Sequence, residues 1–234
     1  MTTDRETVRL DRLNLGCGPE APLGWVNVDA SLNAWFTHHK RLRRMLGLVG
    51  IINSGNQGAK WNVRPVVHDL RKRLPFPDNT FSGVYASHVL EHLYRTQANA
   101  LLVECKRVLR PGGVLRVVVP DLNSMVVEYL KSKQNGASQS AADSLNEKLA
   151  FRAPAPPTGN PLLVFYSLWK DFHSHKWMYD TESLIRIVES VGFQQVAKME
   201  FLRSGIAGIE EVEQSSRVLN GAGVCVEGTK PLHS

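Results

Sequence analysis

The stretch LNLGCGPEAPLGWVNVDA, residues 13–30, decides how this chain is read. Leu10–Leu15 reads as a short buried strand that runs into the turn Gly16-Cys17-Gly18. Trp25–Asp29 then alternates as a strand does and ends on an acid. Residues Gly16–Ala21 satisfy the loose dinucleotide pattern G-x-G-x-x-A. A pyrophosphate, however, sits on backbone N–H groups at a helix N-terminus. Pro19 has no N–H to offer, and Pro22 falls where a helix interior would begin. Asp29 follows Gly16 by only 13 residues, whereas the ribose-binding acid of a dinucleotide site lies about 20 residues on. Little room remains for a crossover helix, and a dinucleotide is disfavoured.

Working outward, Val66–Leu70 is a third strand-like run ending in an acid, and Gly83–Ser87 a fourth after the turn-rich LPFPDNTF. Thr96–Arg110 places Leu101, Leu102, Cys105, Val108 and Leu109 on one helical face, and Pro111-Gly112-Gly113 ends it. Val114–Val119 reads as a uniformly apolar central strand. A later helix takes Asp180 or Thr181 as N-cap, buries Leu184, Ile187, Val188 and Val191, and stops at Gly192. Strands follow near Phe193–Met199 and Val224–Glu227. This alternation implies an α/β domain with a mostly parallel sheet. Two segments break it, about 31–60 and 121–178. Both start beyond a strand's C-terminal end, where open α/β sheets bind ligands, and are read as cap or lid insertions in one domain, 1–234.

The chain has 234 residues, 43% of them hydrophobic, enough for a full core without disulfide or metal. A formal charge of +6 permits acidic partners but names none. Cys17, Cys105 and Cys225 lack metal-ligand spacing. The first residues are polar and no apolar run reaches the ~18 residues of a membrane span. A soluble, cytoplasmic protein is expected.

A cofactor without phosphates needs no helix behind the loop. S-adenosylmethionine presents an amino acid, a sulfonium, two ribose hydroxyls and an adenine. Gly16 and Gly18 let the backbone approach the amino-acid end, Asp29 can accept both hydroxyls, and Asp69 can accept from the adenine amine beside Leu70. Three strand ends in order each carry what this ligand needs.

The blocks LNLGCG, HDLRKRLPFPDNTFSGVYASHVLEHL, ECKRVLRPGGVLRVVVPDL and HKWMYDTESLIRIVESVGF resemble class I S-adenosylmethionine-dependent methyltransferases. They look most like the bacterial type-11-like branch associated with sugar and polysaccharide modification. The resemblance runs from about residue 10 to 230 and is thinnest over 31–60. It implies a Rossmann-like, seven-stranded, mostly parallel sheet with an antiparallel last strand. It also implies a cofactor set of Asn14, Gly16, Cys17, Gly18, Asp29, Asp69, Leu70 and Ser87. Asn14 stands where many members carry an acid, so backbone carbonyls would serve the methionine amine. Ser82-Gly83 replaces the more usual Asp-Ala.

Methyl transfer is an in-line displacement, and a hydroxyl acceptor needs a base or metal to take its proton. His88, just past the fourth strand, is the first base candidate, with Glu91 to orient a histidine. Asp121 and His175 complete the catalytic set, with His173 beside it. Structural roles compete: His92 as a packing residue at a helix start, Asp121 as an N-cap, the loop histidines as loop residues. The spacing shows no dedicated metal site; Mg²⁺ at His88, Glu91, Asp121 or the loop histidines stays open. Lys40, Arg41, Arg43 and Arg44 beside Trp35, Phe36, Leu42, Met45 and Leu46 fit a cap helix better than a membrane or polymer contact. Trp35, Trp61, Trp169 and Trp177 could stack on sugars or lie in the core.

The leading expectation is O-methylation of a saccharide or related hydroxylated metabolite. Methylation of a natural-product amine or phenol, and a non-catalytic cofactor-binding role, are the alternatives. Without an RNA-binding module or an RNA-methylation motif, nucleic acid is disfavoured as partner. Oligomeric state is not read from the sequence.

Overall fold

A computed structural model describes residues 10–19, 21–39, 41–42, 44–45, 63–135, 138–151, 174–218 and 223–233. Lys40, Arg43, Leu46, Trp61, Trp169, His173 and most of the 31–60 insertion lie outside the described residues. Among the described residues, no helix is long and apolar enough to cross a membrane.

Seven strands form one sheet: β1 Arg12–Leu15, β2 Val26–Asp29, β3 Val66–Val67, β4 Phe81–Ser87, β5 Leu109–Pro120, β6 Gln194–Lys198 and β7 Gly223–Thr229. Their order is β3-β2-β1-β4-β5-β7-β6. β7 runs antiparallel to both β5 and β6, and the pairings from β3 to β5 are parallel. The fold is therefore the expected mostly parallel sheet with an antiparallel last strand. The chain steps from β1 outward to β2 and β3, then returns to place β4 on β1's other side. That reversal is the switch point where open α/β sheets take their ligands.

The two faces of the sheet differ because side chains alternate along each strand. Leu13, Leu15, Val84, Ala86, Leu115, Val117, Val119, Val224 and Val226 line one face in a single apolar core. Helix α2, Arg95–Val108, buries Leu101, Leu102, Cys105 and Val108 there. Helix α5, Thr181–Ser190, adds Leu184, Ile187 and Val188. Asp180 caps α5: its carboxylate accepts from Ser183 N (2.8 Å), and Ser183 Oγ accepts from Asp180 N (3.0 Å).

The other face carries Arg12, Asn14, Tyr85, Arg116, Val118, Cys225 and Glu227. It would have been covered by the crossover helix that the β1–β2 connection does not form. Trp25 and the C-terminal segment around 199–213 take its place, packing Ile206, Ile209 and Val212 against Tyr85, Val118 and Cys225. Trp25 meets Tyr85 edge to face at 6.5 Å, and the Arg12 guanidinium lies 5.1 Å from the Trp25 ring centre.

Several boundaries differ from expectation. The 66–70 strand shrinks to Val66–Val67, an exposed two-residue edge. The helix expected over 96–110 ends at Val108, and Leu109 already pairs with Phe81. Pro111-Gly112-Gly113 is not a terminator but lies within β5, where the register shifts between Phe81 and Gly83. β5 is also not uniformly apolar, because Arg116 is completely buried within it. Between β5 and β6, helices α3 (Leu122–Gln134) and α4 (Ser138–Leu149) pack on each other. Helix α1, Leu32–His38, is capped by Ser31, whose side chain accepts from Ala34 N at 3.1 Å.

Candidate functional site

The register Leu15↔Ala86 sets Gly16 beside Ser87 at the adjoining C-terminal ends of β1 and β4. Gly16 and Gly18 adopt φ of +65° and +57°, a region that glycine enters without strain. Their N–H groups are already used. Gly16 N and Cys17 N donate to Val28 O at 2.9 and 3.1 Å, and Gly18 N donates to Asp29 Oδ2 at 2.9 Å. Pro19 has no N–H, so no run of free donors remains to cradle a pyrophosphate. A Cβ on Gly16 would stand 2.5 Å from Val89 Cγ2. Gly16→Ala combines that clash with a left-handed backbone, and a loss of about 1–3 kcal/mol is expected in urea unfolding. An unchanged midpoint would contradict this.

Asp29 is buried, and its second oxygen, Oδ1, accepts from Ser31 N at 2.7 Å. The carboxylate thus ties the glycine loop to the start of α1 and keeps further lone pairs on both oxygens. Asn14 lies on the mixed face and donates from Nδ2 to Asn27 Oδ1 at 3.0 Å. Asn27 in turn donates to Pro22 O and Trp25 O at 2.8 and 2.9 Å. Asn14 therefore helps to hold the helix-free connection. Burial pushes the Cys17 thiol up to about 12, so it stays a thiol.

Asp69 has a partner that the sequence did not announce. Arg71 reaches back with Nε to Oδ1 (2.9 Å) and a terminal nitrogen to Oδ2 (2.7 Å), and holds the carboxyl below its ordinary range. Asp69, Leu70, Arg71, Ala30, Ser31 and Val89 line a cleft of about 140 Å³ that His88 and His92 also border. That is smaller than the roughly 300–1,000 Å³ of sites that enclose a whole cofactor. A second cavity, about 730 Å³, opens on the far side of His88 between β5's end, α3 and α4. Its lining includes Asn123, Ser124, Glu128, Lys131, Lys148 and His175.

His88 stands between the two spaces, with a left-handed backbone (φ +54°) unusual for a residue with a side chain. Its Nδ1 lies 3.2 Å from Glu91 Oε1, and its Nε2 has no hydrogen-bond partner among the described residues. Glu91 is fully buried in the 3₁₀ turn Leu90–His92, and neither carboxylate oxygen accepts a hydrogen bond. Its backbone carbonyl accepts from Lys176 N (2.6 Å) and Trp177 N (3.3 Å). Those bonds bring His175 to His92, their ring centres 4.9 Å apart. Burial pushes the His175 imidazole below its ordinary 6.5, against the pull of Glu91.

Of the expected catalytic set, the structure gathers His88, Glu91 and His175. Asp121 is drawn off as the N-cap of α3, accepting from Asn123 N (3.0 Å) and Ser124 Oγ (2.6 Å). His92, for which packing at a helix start was the competing role, lies in the histidine cluster. A larger cavity of about 840 Å³ lies at the opposite, N-terminal ends of β4 and β5. Its cations are committed elsewhere: Arg107 to Asp78 and Glu104, Lys230 to Asn79 and Leu109 O, Lys106 to Val191 O.

A family model for a methyltransferase domain matches residues 13–117. The ubiquinone/menaquinone biosynthesis C-methyltransferase UbiE of Cupriavidus metallidurans is 30% identical over 162 residues, 69% of this chain and 57% of that protein. An uncharacterized methyltransferase of Schizosaccharomyces pombe is 49% identical over 55 residues, 24% of this chain and 19% of its own. The chain thus spans a little over half the length of the UbiE relative it matches. Among solved structures, a S-adenosylmethionine-dependent methyltransferase of Thermotoga maritima, titled a possible histamine N-methyltransferase, aligns over 94% of this chain and 81% of its own. It does so with 19% identity and a TM-score of 0.49. At that score the fold rests on the strand order above, not on the alignment. The segment that matches the methyltransferase-domain model supplies the glycine loop, Asp29, Asp69, His88 and Glu91, and over that segment the chain is similar to methyltransferases.

Proposed function

We propose that this protein transfers the methyl group of S-adenosylmethionine to a hydroxyl of a small polar acceptor, a saccharide or related metabolite. The observation that carries the reading is the position of His88, which borders both the Asp69 cleft and the larger cavity. In this reading adenine lies by Asp69 and Leu70, the ribose hydroxyls on Asp29, and the amino-acid end along Gly16–Gly18 near Asn14 and Ser87. The acceptor enters the larger cavity between α3, α4 and His175. Lysines, Asn123, Ser124 and Glu128 in its lining offer hydrogen-bond partners to a polar acceptor, beside the apolar Pro120, Met125 and Val127.

Glu91 Oε1 faces Nδ1 of His88 across 3.2 Å, and Nε2 is the proton acceptor. The acceptor O–H gives its proton to Nε2 as the new O–C bond forms and the S–C bond breaks, releasing S-adenosylhomocysteine. Alignment of the three atoms supplies much of the rate. In a labelled-methyl assay across oligosaccharides and hydroxylated metabolites, His88→Ala is expected to lose about 10²–10⁴-fold in kcat. Its S-adenosylmethionine affinity should be retained. Full turnover in His88→Ala would remove the base from this scheme. A second reading, methylation at carbon, is favoured by the similarity to ubiquinone/menaquinone biosynthesis C-methyltransferases of Cupriavidus. Label appearing in a quinol but in no hydroxylated acceptor would select it.

A further inference from the structure

We propose that Glu91, His92 and His175 form a binding site for a borderline divalent transition metal such as Zn²⁺, in the wall between the cofactor cleft and the acceptor cavity. This site is independent of the identity of the acceptor. The donor atoms of the three side chains lie within 4.8 Å of one another, and it is the group of this kind found among the described residues.

Three further observations point to a ligand there. First, Glu91 is completely buried and neither of its oxygens accepts a hydrogen bond. A buried carboxylate left in that state is costly, and a cation in its place removes the cost. His88 Nδ1, at 3.2 Å from Oε1, meets at most one of the two oxygens. Second, each histidine has its Nδ1 against a backbone carbonyl, His92 on Ser174 O (3.3 Å) and His175 on Leu149 O (2.9 Å). A carbonyl accepts only, so each Nδ1 carries the proton and each Nε2 presents a lone pair. That is the outer-shell arrangement that orients ligating histidines. Third, the 174–177 segment is pinned to the same residue that supplies the carboxylate, through Lys176 N and Trp177 N on Glu91 O.

The donor set selects the metal. Two imidazoles and one carboxylate suit Zn²⁺ and its transition-series neighbours, whereas Mg²⁺ takes oxygen ligands and keeps its waters. A tetrahedral Zn²⁺ with bonds of about 2.0–2.1 Å sets its donors about 3.4 Å apart. His92 Nε2 now stands 4.0 Å from Glu91 Oε1, so the side chains draw together by rotation as the metal enters. Three protein ligands leave a fourth position, and His175 borders the larger cavity in which an acceptor hydroxyl would be polarised.

The test is metal binding by the intact chain, read without turnover. Calorimetry with Zn²⁺ and visible absorption with Co²⁺ should each show one ion per chain, with a Co²⁺ spectrum of tetrahedral or five-coordinate intensity. His92→Ala, His175→Ala and Glu91→Gln should each weaken binding by more than about 10-fold, the size that loss of even an outer-shell partner produces. His233→Ala, at the exposed C-terminal end, should bind as the parent does. Cooperative thermal unfolding of each variant verifies that it folds. Glu91→Gln keeps the side-chain volume should either alanine variant fail. Absence of saturable binding, or equal affinity in the parent and the folded variants, overturns the proposal. Failure of methyl transfer with metal binding intact would instead count against the acceptor reading alone.

Discussion

Asp29→Ala is expected to lower affinity for S-adenosylmethionine by at least about 100-fold in calorimetry, and to do the same for S-adenosylhomocysteine. The two ligands share the ribose, and in the proposed pose the Asp29 carboxylate accepts both of its hydroxyls. Hydrogen bonds to a charged partner contribute about 1.5–3 kcal/mol each, so losing two amounts to about 3 kcal/mol or more. The carboxylate also orders the loop that receives the ligand, through Gly18 N at 2.9 Å and Ser31 N at 2.7 Å. Asp29→Asn should be nearly as damaging. An amide has one accepting oxygen, so its NH₂ would face one of those two backbone donors. Parental affinity in either variant would remove Asp29 from the ribose site and with it the proposed pose.

The largest loss of stability is expected from Arg116→Met. All five guanidinium donors are paired: with Glu213 Oε1 and Oε2 (2.7 and 2.8 Å), Glu227 Oε1 (2.7 Å), Arg203 O (2.8 Å) and Glu200 O (2.9 Å). Removing the cation leaves two carboxylates buried together, and breaking such a cluster costs about 3–5 kcal/mol. For a chain of this size the midpoint of thermal unfolding should fall by on the order of 10 °C. The triple variant with Glu213→Gln and Glu227→Gln should recover part of the loss, because it removes the stranded charges as well. A midpoint within 2–3 °C of the parent in Arg116→Met (about 1 kcal/mol at this length) would show that the cluster is not what holds the 199–213 segment on the sheet.

Arg116 also shows what could be read in advance. An arginine inside LRVVVP is a visible anomaly, since a charge is almost never fully buried without a partner. Nothing local names that partner. Glu213 and Glu227 lie far along the chain, and β7's position beside β5 brings Glu227 into reach. The boundaries of α2 and β5 were misjudged for a related reason. Proline and two glycines normally end a helix, but here the pairing of Leu109 with Phe81 starts the strand first.

The candidate site divides the same way. The positions of Gly16 and Gly18 just past β1 and of Asp29 at the end of β2 follow from strand alternation, whereas Asp69 lies two residues beyond the shortened β3. His88 was legible by the same rule. The role of Asp121 was readable as two alternatives, and the free backbone N–H groups at the start of α3 settle its geometry as a cap.

By itself the sequence determined the sheet and its mostly parallel sense, and it disfavoured a dinucleotide. Strand periodicity, strand-end acids and the two prolines of the β1–β2 connection are local properties that act wherever the chain goes. Only the tertiary structure decided what covers the bare face beside that connection, and which histidines share the buried Glu91. Those outcomes depend on segments that meet through the strand order: 199–213 against Tyr85 and Arg116, and 174–177 against the turn after β4. Packing and charge pairing between such distant segments have no period in the sequence, so they are visible only once the chain is folded.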